Sequence, residues 1–414
     1  MRCEIIGVGT ELLLGQIVNT NAAWVGQRLA DVGWDCLRHT AVGDNEARIA
    51  GTIREALARA DAVIVTGGLG PTQDDVTREA IAAVAGVRLV RDPAIERWLA
   101  ERFARFGVRR MATMNLRQAD VPEGARTIDN PRGTAPGLIV EVGGKPVYAV
   151  PGVPREMEGM LERVVLPDLA ARAGEGRAIV SRTLRTAGIG ESRVAEQLTP
   201  LWEAADGVTM AYLASAGEVR VRLTSVGATR DEALARIAPV EAAVRAELGP
   251  AVYGRDDEAL EQVVGRLLRE QGQSLATAES LTAGLLGGRI TTVPGASDYY
   301  RGGVVAYATE AKADLLGVDQ RLLDEYGPVS EPVAAAMAEG ARRAFEAGIG
   351  LATSGVAGPT EQGGQPVGTL CLAVADAAGT ATTAMRAPGD RAQVRAWAAT
   401  LALDLLRRRL EGIA

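Results

Sequence analysis

Ser274-Leu275-Ala276-Thr277-Ala278-Glu279-Ser280-Leu281-Thr282-Ala283-Gly284-Leu285-Leu286-Gly287-Gly288-Arg289-Ile290, followed after a loop by Val304-Val305-Ala306-Tyr307-Ala308-Thr309-Glu310-Ala311-Lys312, is a strand, a turn and a helix written in small residues. Leu275–Ala278 predicts the end of a short buried strand, and Leu281–Ile290 a helix starting directly after Ser280. Serine at such a turn is ordinarily an N-cap. Its hydroxyl also lies near unpaired helix N–H groups, where an oxyanion or phosphate is stabilised. Lys312, on a predicted helix after the strand Gly303–Tyr307, separates these readings. The chain carries 45 Lys plus Arg, yet lysine occurs only at Lys145 and Lys312. Arginine cannot give up its proton in a protein, whereas a buried lysine acts as a base. Lys145 lies in Gly143-Gly144-Lys145-Pro146, a hairpin turn by composition. The single histidine, His39, is far from Ser280 in sequence. A Ser–Lys pair, with Lys312 as base and Tyr307 as helper or oxyanion donor, is therefore the alternative to a triad built on His39.

Working outward, 414 residues predict about two or three domains. Hydrophobic content of 47% with 23% charged residues fits a globular chain, and 4% aromatics means cores of Ala, Val, Leu and Ile. A net charge of -7 without a basic block argues against direct nucleic-acid binding. Met1–Gly9 has a glutamate inside its apolar run and is too short for a signal-peptide core. No apolar run reaches membrane-spanning length. Cys3, Cys36 and Cys371 are scattered and odd in number, which favours neither a disulfide framework nor a zinc site. A cytoplasmic, multi-domain protein is expected.

From Met1 to about Ala170, strands expected at Glu4–Val8, Asp35–Val42 and Ala62–Thr66 alternate with helices at Asn21–Val32, Ala47–Arg59 and Val76–Ala85. Such alternation implies a parallel sheet covered on both faces, with ligands beyond the carboxyl ends of its strands. Two loops should open at that edge: Gly7-Val8-Gly9-Thr10-Glu11, and Gly67-Gly68-Leu69-Gly70-Pro71-Thr72-Gln73-Asp74-Asp75. The glycines let backbone N–H groups approach a ligand, and Thr72 or Asp74 can cap the next helix. The loop lacks the Gly-Lys-Ser/Thr ending of a Walker motif. Asp75 and Glu79, four apart, would share a helix face with Asp74 beside them. Such acids beside a phosphate call for magnesium or manganese between them; complementing the helix dipole is their ordinary role. All asparagines, Asn19, Asn21, Asn45, Asn115 and Asn130, lie in this first domain, where turn geometry is the usual reason.

From about Arg177 to Gly254 the pattern becomes a small α+β unit: strand Ser181–Thr186, helix Glu191–Leu198, hairpin Val208–Leu213 with Glu218–Val226, and helix Asp231–Leu248. It carries little chemistry and reads as a spacer or dimerisation module. Asp256–Ala414 is one more α/β unit. Its segment Ala352-Thr353-Ser354-Gly355-Val356-Ala357-Gly358-Pro359-Thr360 is a strand end suited to a phosphate or oxyanion, or simply a tight turn.

These segments together resemble the competence/damage-inducible CinA family over nearly the whole chain. GTELLLGQIVNTN and GGLGPTQDDVT are similar to its molybdopterin-binding, MogA/MoeA-type α/β sandwich. TAESLTAG, GGVVAYATEAK, GPVSEP and TSGVAGPT are similar to its nicotinamide mononucleotide deamidase domain. The resemblance implies three domains: 1–172, MoCF-like; 173–254, a KH-type α+β module; and 255–414, an α/β deamidase. It further implies an amidase that converts nicotinamide mononucleotide to nicotinate mononucleotide and ammonia, with Ser280 as nucleophile, Lys312 as base and Tyr307 assisting. Glu279, Thr282, Gly284, Ser354, Gly355 and Gly358 would surround that substrate, and no cofactor is needed there. For the first domain it implies an ADP-ribose pyrophosphatase giving AMP and ribose 5-phosphate. Gly67, Gly68, Gly70, Thr72 and Asn19 would bind substrate there. Asp74, Asp75 and Glu79 would hold a divalent metal (magnesium, manganese or cobalt), with potassium as an optional activator. A homodimer is implied. The competing expectations are a non-catalytic nucleotide- or pterin-binding protein that recruits partners in DNA uptake or damage response, and a molybdopterin-handling enzyme.

Overall fold

The computed structural model describes residues 1–105, 111–173 and 178–413, so the pattern change expected at Arg177 lies outside the described residues. The chain divides into two compact units, Met1–Val180 with Val226–Leu234, and Ser181–Ser225 with Ala235–Ala414.

In the first unit, strands β1 (Arg2–Val8), β2 (Asp35–Val42), β3 (Ala62–Thr66), β4 (Leu89–Arg91), β5 (Asp120–Pro122), β6 (Arg126–Ile128), β7 (Gly137–Val142) and β8 (Lys145–Val150) accompany helices α1 (Thr10–Leu13), α2 (Thr20–Asp31), α3 (Glu46–Arg59), α4 (Thr77–Ala85), α5 (Pro93–Arg105), α6 (Pro154–Met160) and α7 (Leu166–Ala173). Six strands form one sheet in the order β2-β1-β3-β8-β7-β6, while β4 and β5 pair separately. The four strands β2, β1, β3 and β8 are parallel, but β7 and β6 run antiparallel. The Gly143-Gly144 turn, with both residues at positive φ, folds β7 back on β8, so the wholly parallel sheet expected from the alternation is a mixed one. β3 (AVIVT) is buried throughout, as a parallel strand covered on both faces must be. Alternate residues serve the two faces: Ile6, Val63 and Val65 pack with Ile49, Ile53 and Ile81, while Ile5, Ala62 and Ile64 pack with Val25, Leu29 and Met160. Asn19 and Asn45 cap α2 and α3 by accepting from Ala22 N and Arg48 N, which fixes how the chain leaves the sheet edge.

The second unit holds one whole sheet and most of another. β9 (Ala178–Ala187), β10 (Val208–Ser215), β11 (Glu218–Gly227) and β12 (Val252–Arg255) form the order β10-β11-β9-β12, accompanied by α8 (Glu191–Ala204) and α9 (Arg230–Leu248). The hairpin turn falls at Ala216-Gly217, both at positive φ, as a two-residue loop demands. After α10 (Leu260–Glu270) come β13 (Leu275–Glu279), α11 (Leu285–Thr291), β14 (Tyr300–Val305), α12 (Thr309–Leu316), α13 (Gln320–Tyr326), α14 (Glu331–Ala344), β15 (Ile349–Gly355), β16 (Thr369–Asp376), β17 (Gly379–Arg386) and α15 (Arg391–Leu410). Their sheet runs β14-β13-β15-β16-β17, parallel for the first three strands and antiparallel for the last two. Leu275, Leu351 and Leu372 face a core with Leu268, Ala402 and Leu406; Ala276, Ala278, Ala352 and Ala373 face the other with Val333 and Met337. Alanines on that face let α14 approach closely. Among the described residues, no helix is long and apolar enough to cross a membrane.

Candidate functional sites

The carboxyl ends of β13 and β15, adjacent and parallel, deliver Ser280 and the Ser354–Gly358 segment to one edge of the C-terminal sheet. Ser280 N donates to Thr353 O at 2.9 Å, which ties the turn to β15. The helix does not start at Leu281 as its composition suggests. Ala283 and Gly284 take left-handed φ values of 48° and 90°, and α11 begins only at Leu285 with Gly284 as N-cap. Ser280 is therefore not the cap. Glu279 does that work: its buried carboxylate accepts from Gly284 N (2.9 Å), Leu286 N (3.0 Å) and Gly287 N (2.8 Å). The helix end is thereby neutralised, and Ser280 Oγ is left without a hydrogen-bond partner among the described residues.

Ser280 and Lys312 line one cavity of about 270 Å³, together with Tyr307, Gly355, Gly358 and Arg391 among others. Lys312 sits on α12 with 2% of its surface exposed. Its Nζ donates to Pro328 O at 2.8 Å and to Ser354 Oγ at 3.0 Å, and Ser354 Oγ in turn donates to Pro328 O at 2.8 Å. Burial pushes the ammonium down from 10.5 to about 8. A neutral amine has two N–H donors and one lone pair. Pro328 O and Ser354 Oγ take both donors, which leaves the lone pair for a proton from outside that pair. Tyr307 is exposed at the cavity wall, and its hydroxyl receives Arg391 Nη2 at 2.5 Å, while Arg391 Nη1 donates to Gly358 O at 2.6 Å.

Of the remaining expected substrate residues in this domain, Gly355 and Gly358 reach the cavity. Thr282 is buried with its hydroxyl against Thr353 Oγ1 at 2.7 Å, Gly284 turns the backbone, and Glu279 and Ser354 are engaged as described. These four build the site's frame. Arg391 and Arg395, both from α15, carry no signal in the sequence, because their local context is only the capped start of a helix. Arg395 Nε donates to Leu281 O at 2.9 Å and its Nη2 to Thr282 O at 2.7 Å.

In the first unit, β1 and β3 are neighbours, and their loops do open at one edge. Gly67, Gly68, Gly70, Asp74 and Asp75 line a cavity of about 400 Å³ with Glu11, Asp44, Gln118 and Glu156. Gly67 has φ 102°, and a Cβ there would lie 2.3 Å from Val8 O, so the close approach of the two loops requires glycine. The helix α4 starts at Thr77, with Val76 as cap residue; neither Thr72 nor Asp74 caps it. Thr72 N and Oγ1 instead hold Asp75 Oδ2. Since Asp75 precedes the helix, it does not share a face with Glu79. Glu79 pairs with Arg117 Nη2 at 2.8 Å, outside the cavity lining. Asn19 caps α2 and lines a smaller adjoining cavity. Among the described residues, no three His, Cys, Asp or Glu side chains are grouped to hold a metal ion. Of the three expected metal ligands, Asp74 and Asp75 line the cavity and Glu79 does not, so they are not brought together as one ligand set.

Comparison with known proteins covers all three regions. Residues 4–171 match the "Probable molybdopterin binding domain", 181–254 the "Damage-inducible protein CinA KH domain" and 257–410 the "CinA C-terminal domain". A CinA-like protein of Frankia casuarinae is 53% identical over 100% of this chain and 97% of its own. One from a Synechococcus species is 46% identical over 98% of each. Among solved structures, the competence damage-inducible protein A of Klebsiella pneumoniae is 35% identical, covers 37% of this chain and 95% of its own, and has a TM-score of 0.36.

Proposed function

We propose, for a chain that belongs to the CinA family, that the C-terminal domain is a Ser–Lys amidase acting on nicotinamide mononucleotide. The observation that carries this reading is a buried lysine with a lowered pKa lining the same cavity as an unpartnered serine hydroxyl. Ser280 Oγ attacks the carboxamide carbon while Lys312 Nζ takes its proton. Backbone N–H groups following Ser280 hold the oxyanion. Lys312 then returns the proton to the amide nitrogen, ammonia leaves, and an acyl-enzyme remains. Water attacks that ester as Lys312 accepts its proton, and Ser280 departs protonated with release of nicotinate mononucleotide. Arg391, the other cation at the cavity, suits the substrate's phosphate. The test is ammonia release from nicotinamide mononucleotide by wild type, Ser280→Ala and Lys312→Arg. Activity in wild type alone supports the pair; activity surviving Lys312→Arg refutes Lys312 as base.

For the first domain, the acid-lined cavity beside a Gly-rich loop favours metal-dependent hydrolysis of ADP-ribose to AMP and ribose 5-phosphate. Asp74 and Asp75 would hold the cation, which would supply charge neutralisation to the pyrophosphate, while the Gly67–Gly70 loop brings N–H groups close to it. EDTA should abolish this activity and spare ammonia release; loss of both together would refute independent sites.

A further inference from the structure

The Ser280 turn is held from behind by a charge. Arg395, half-buried on α15, spends its guanidinium on two consecutive peptide carbonyls, Leu281 O at 2.9 Å and Thr282 O at 2.7 Å. Among the described residues no carboxylate pairs with it. The peptide unit whose carbonyl is Thr282 O carries the Ala283 N–H at its other end, and that N–H donates to Ser280 O at 3.1 Å. The peptide unit whose carbonyl is Ser280 O carries, in turn, the Leu281 N–H. No partner for that N–H is found among the described residues, and Leu281 lines the cavity beside Ser280. The order is therefore guanidinium, Thr282 peptide, Ser280 peptide, and a free amide next to the nucleophile.

Resting on the amidase reading above, we infer that Arg395 is a positioning residue that orients and polarises the Leu281 N–H as the oxyanion donor of Ser280. Hydrogen-bonded peptides polarise one another in series, so a full positive charge on the first carbonyl strengthens the last N–H as a donor. The bidentate grip also fixes both peptide planes of a turn that contains a left-handed alanine, Ala283, and a left-handed glycine, Gly284. Such a donor must be in place before charge develops on the substrate oxygen. The glutamate cap and the arginine clamp thus divide the turn: Glu279 takes the N–H groups of Gly284, Leu286 and Gly287, Leu285 N donates to Thr282 O, and Arg395 leaves the Leu281 N–H for the reaction.

The experiment uses the full chain and two readouts, steady-state deamidation of nicotinamide mononucleotide and the rate of Ser280 labelling by a fluorophosphonate. The second needs the oxyanion donor but not the nucleotide. Arg395→Ala should lower kcat roughly 10- to 100-fold, within the range for a weakened oxyanion donor, with KM changed less than about threefold. Labelling should slow in parallel, the pH midpoint set by Lys312 should stay in place, and added guanidinium should restore part of kcat. Arg395→Lys, which keeps the charge but cannot bridge both carbonyls, should also lose kcat. It decides the matter if Arg395→Ala does not fold. Wild-type kcat and labelling in either folded variant overturn the role of Arg395 and leave the amidase standing. A wild type that neither deamidates nor is labelled at Ser280 overturns both.

Discussion

The titration of Lys312 can be read twice in one protein. Its folded pKa is about 8 against an ordinary 10.5. At pH 7 about a tenth of the folded molecules carry the neutral amine, roughly 300-fold more than an unperturbed lysine would give. Deamidation, as kcat/KM, should rise about tenfold per pH unit below 8 and level off above it. The same shift enters stability. Below pH 8 the lysine is protonated whether folded or not, and the folded state bears the full cost of a buried charge. Between 8 and 10.5 only the unfolded state keeps the proton, so stability rises with pH, by about 3 kcal/mol in total. The perturbation is Lys312→Met, which keeps the volume and removes the titration. Urea unfolding of both proteins at several pH values, followed by hydrogen exchange in β13, isolates the term, since distant tyrosines cancel in the difference. Wild type minus variant should climb through the 8 to 10.5 window. A flat difference, or an activity midpoint at 10 or above, refutes a neutral lysine base.

Three further outcomes follow from the geometry. Glu279→Gln turns an amide N–H₂ toward a set of backbone donors that now bind a carboxylate, and should lower the stability of the C-terminal domain by about 2 to 4 kcal/mol in urea titration. Gly67→Ala forces a Cβ onto Val8 O at positive φ; about 3 kcal/mol or more of destabilisation, seen as a lower melting transition of the first unit, is expected. Arg391→Ala should raise KM for nicotinamide mononucleotide by roughly tenfold or more and leave kcat/KM for nicotinamide riboside, which lacks the phosphate, unchanged. An equal loss on both substrates would remove Arg391 from phosphate recognition.

Much of the fold is written locally. Buried parallel strands such as Ala62–Thr66 announce themselves as unbroken apolar runs, and the rarity of lysine singles out Lys312 without any geometry. What sequence could not show is how distant side chains settle local ambiguities. Leu281–Ile290 is good helix sequence, yet Ala283 and Gly284 take left-handed φ values, with Glu279 accepting from the N–H groups of Gly284, Leu286 and Gly287 and Arg395 holding the carbonyls of Leu281 and Thr282. The spacing of Asp75 and Glu79 would align them only in a helix that already included Asp75. Thr77 bonds instead to Gly67 O, α4 starts there, and Arg117 from a later segment takes Glu79. Arg391 and Arg395 come from the last helix, and nothing within that helix says that it returns to the Ser280 turn.

The scarcity of lysine has a practical side. Lys145 starts β8 half-buried with its Nζ bonded to Leu57 O, and Lys312 is the other amine-bearing side chain in 414 residues. An amine-directed acylating reagent used a little above pH 8 meets a largely deprotonated nitrogen at the cavity, and the peptide that carries Lys312 is separate from those that carry Lys145 and the Met1 α-amino group. Arginine, which carries nearly all the positive charge elsewhere, is silent to such chemistry. Mass spectrometry of one peptide then counts occupied sites directly, so that a ligand filling the cavity can be titrated by the protection of a single atom, with no substrate turnover and no introduced label.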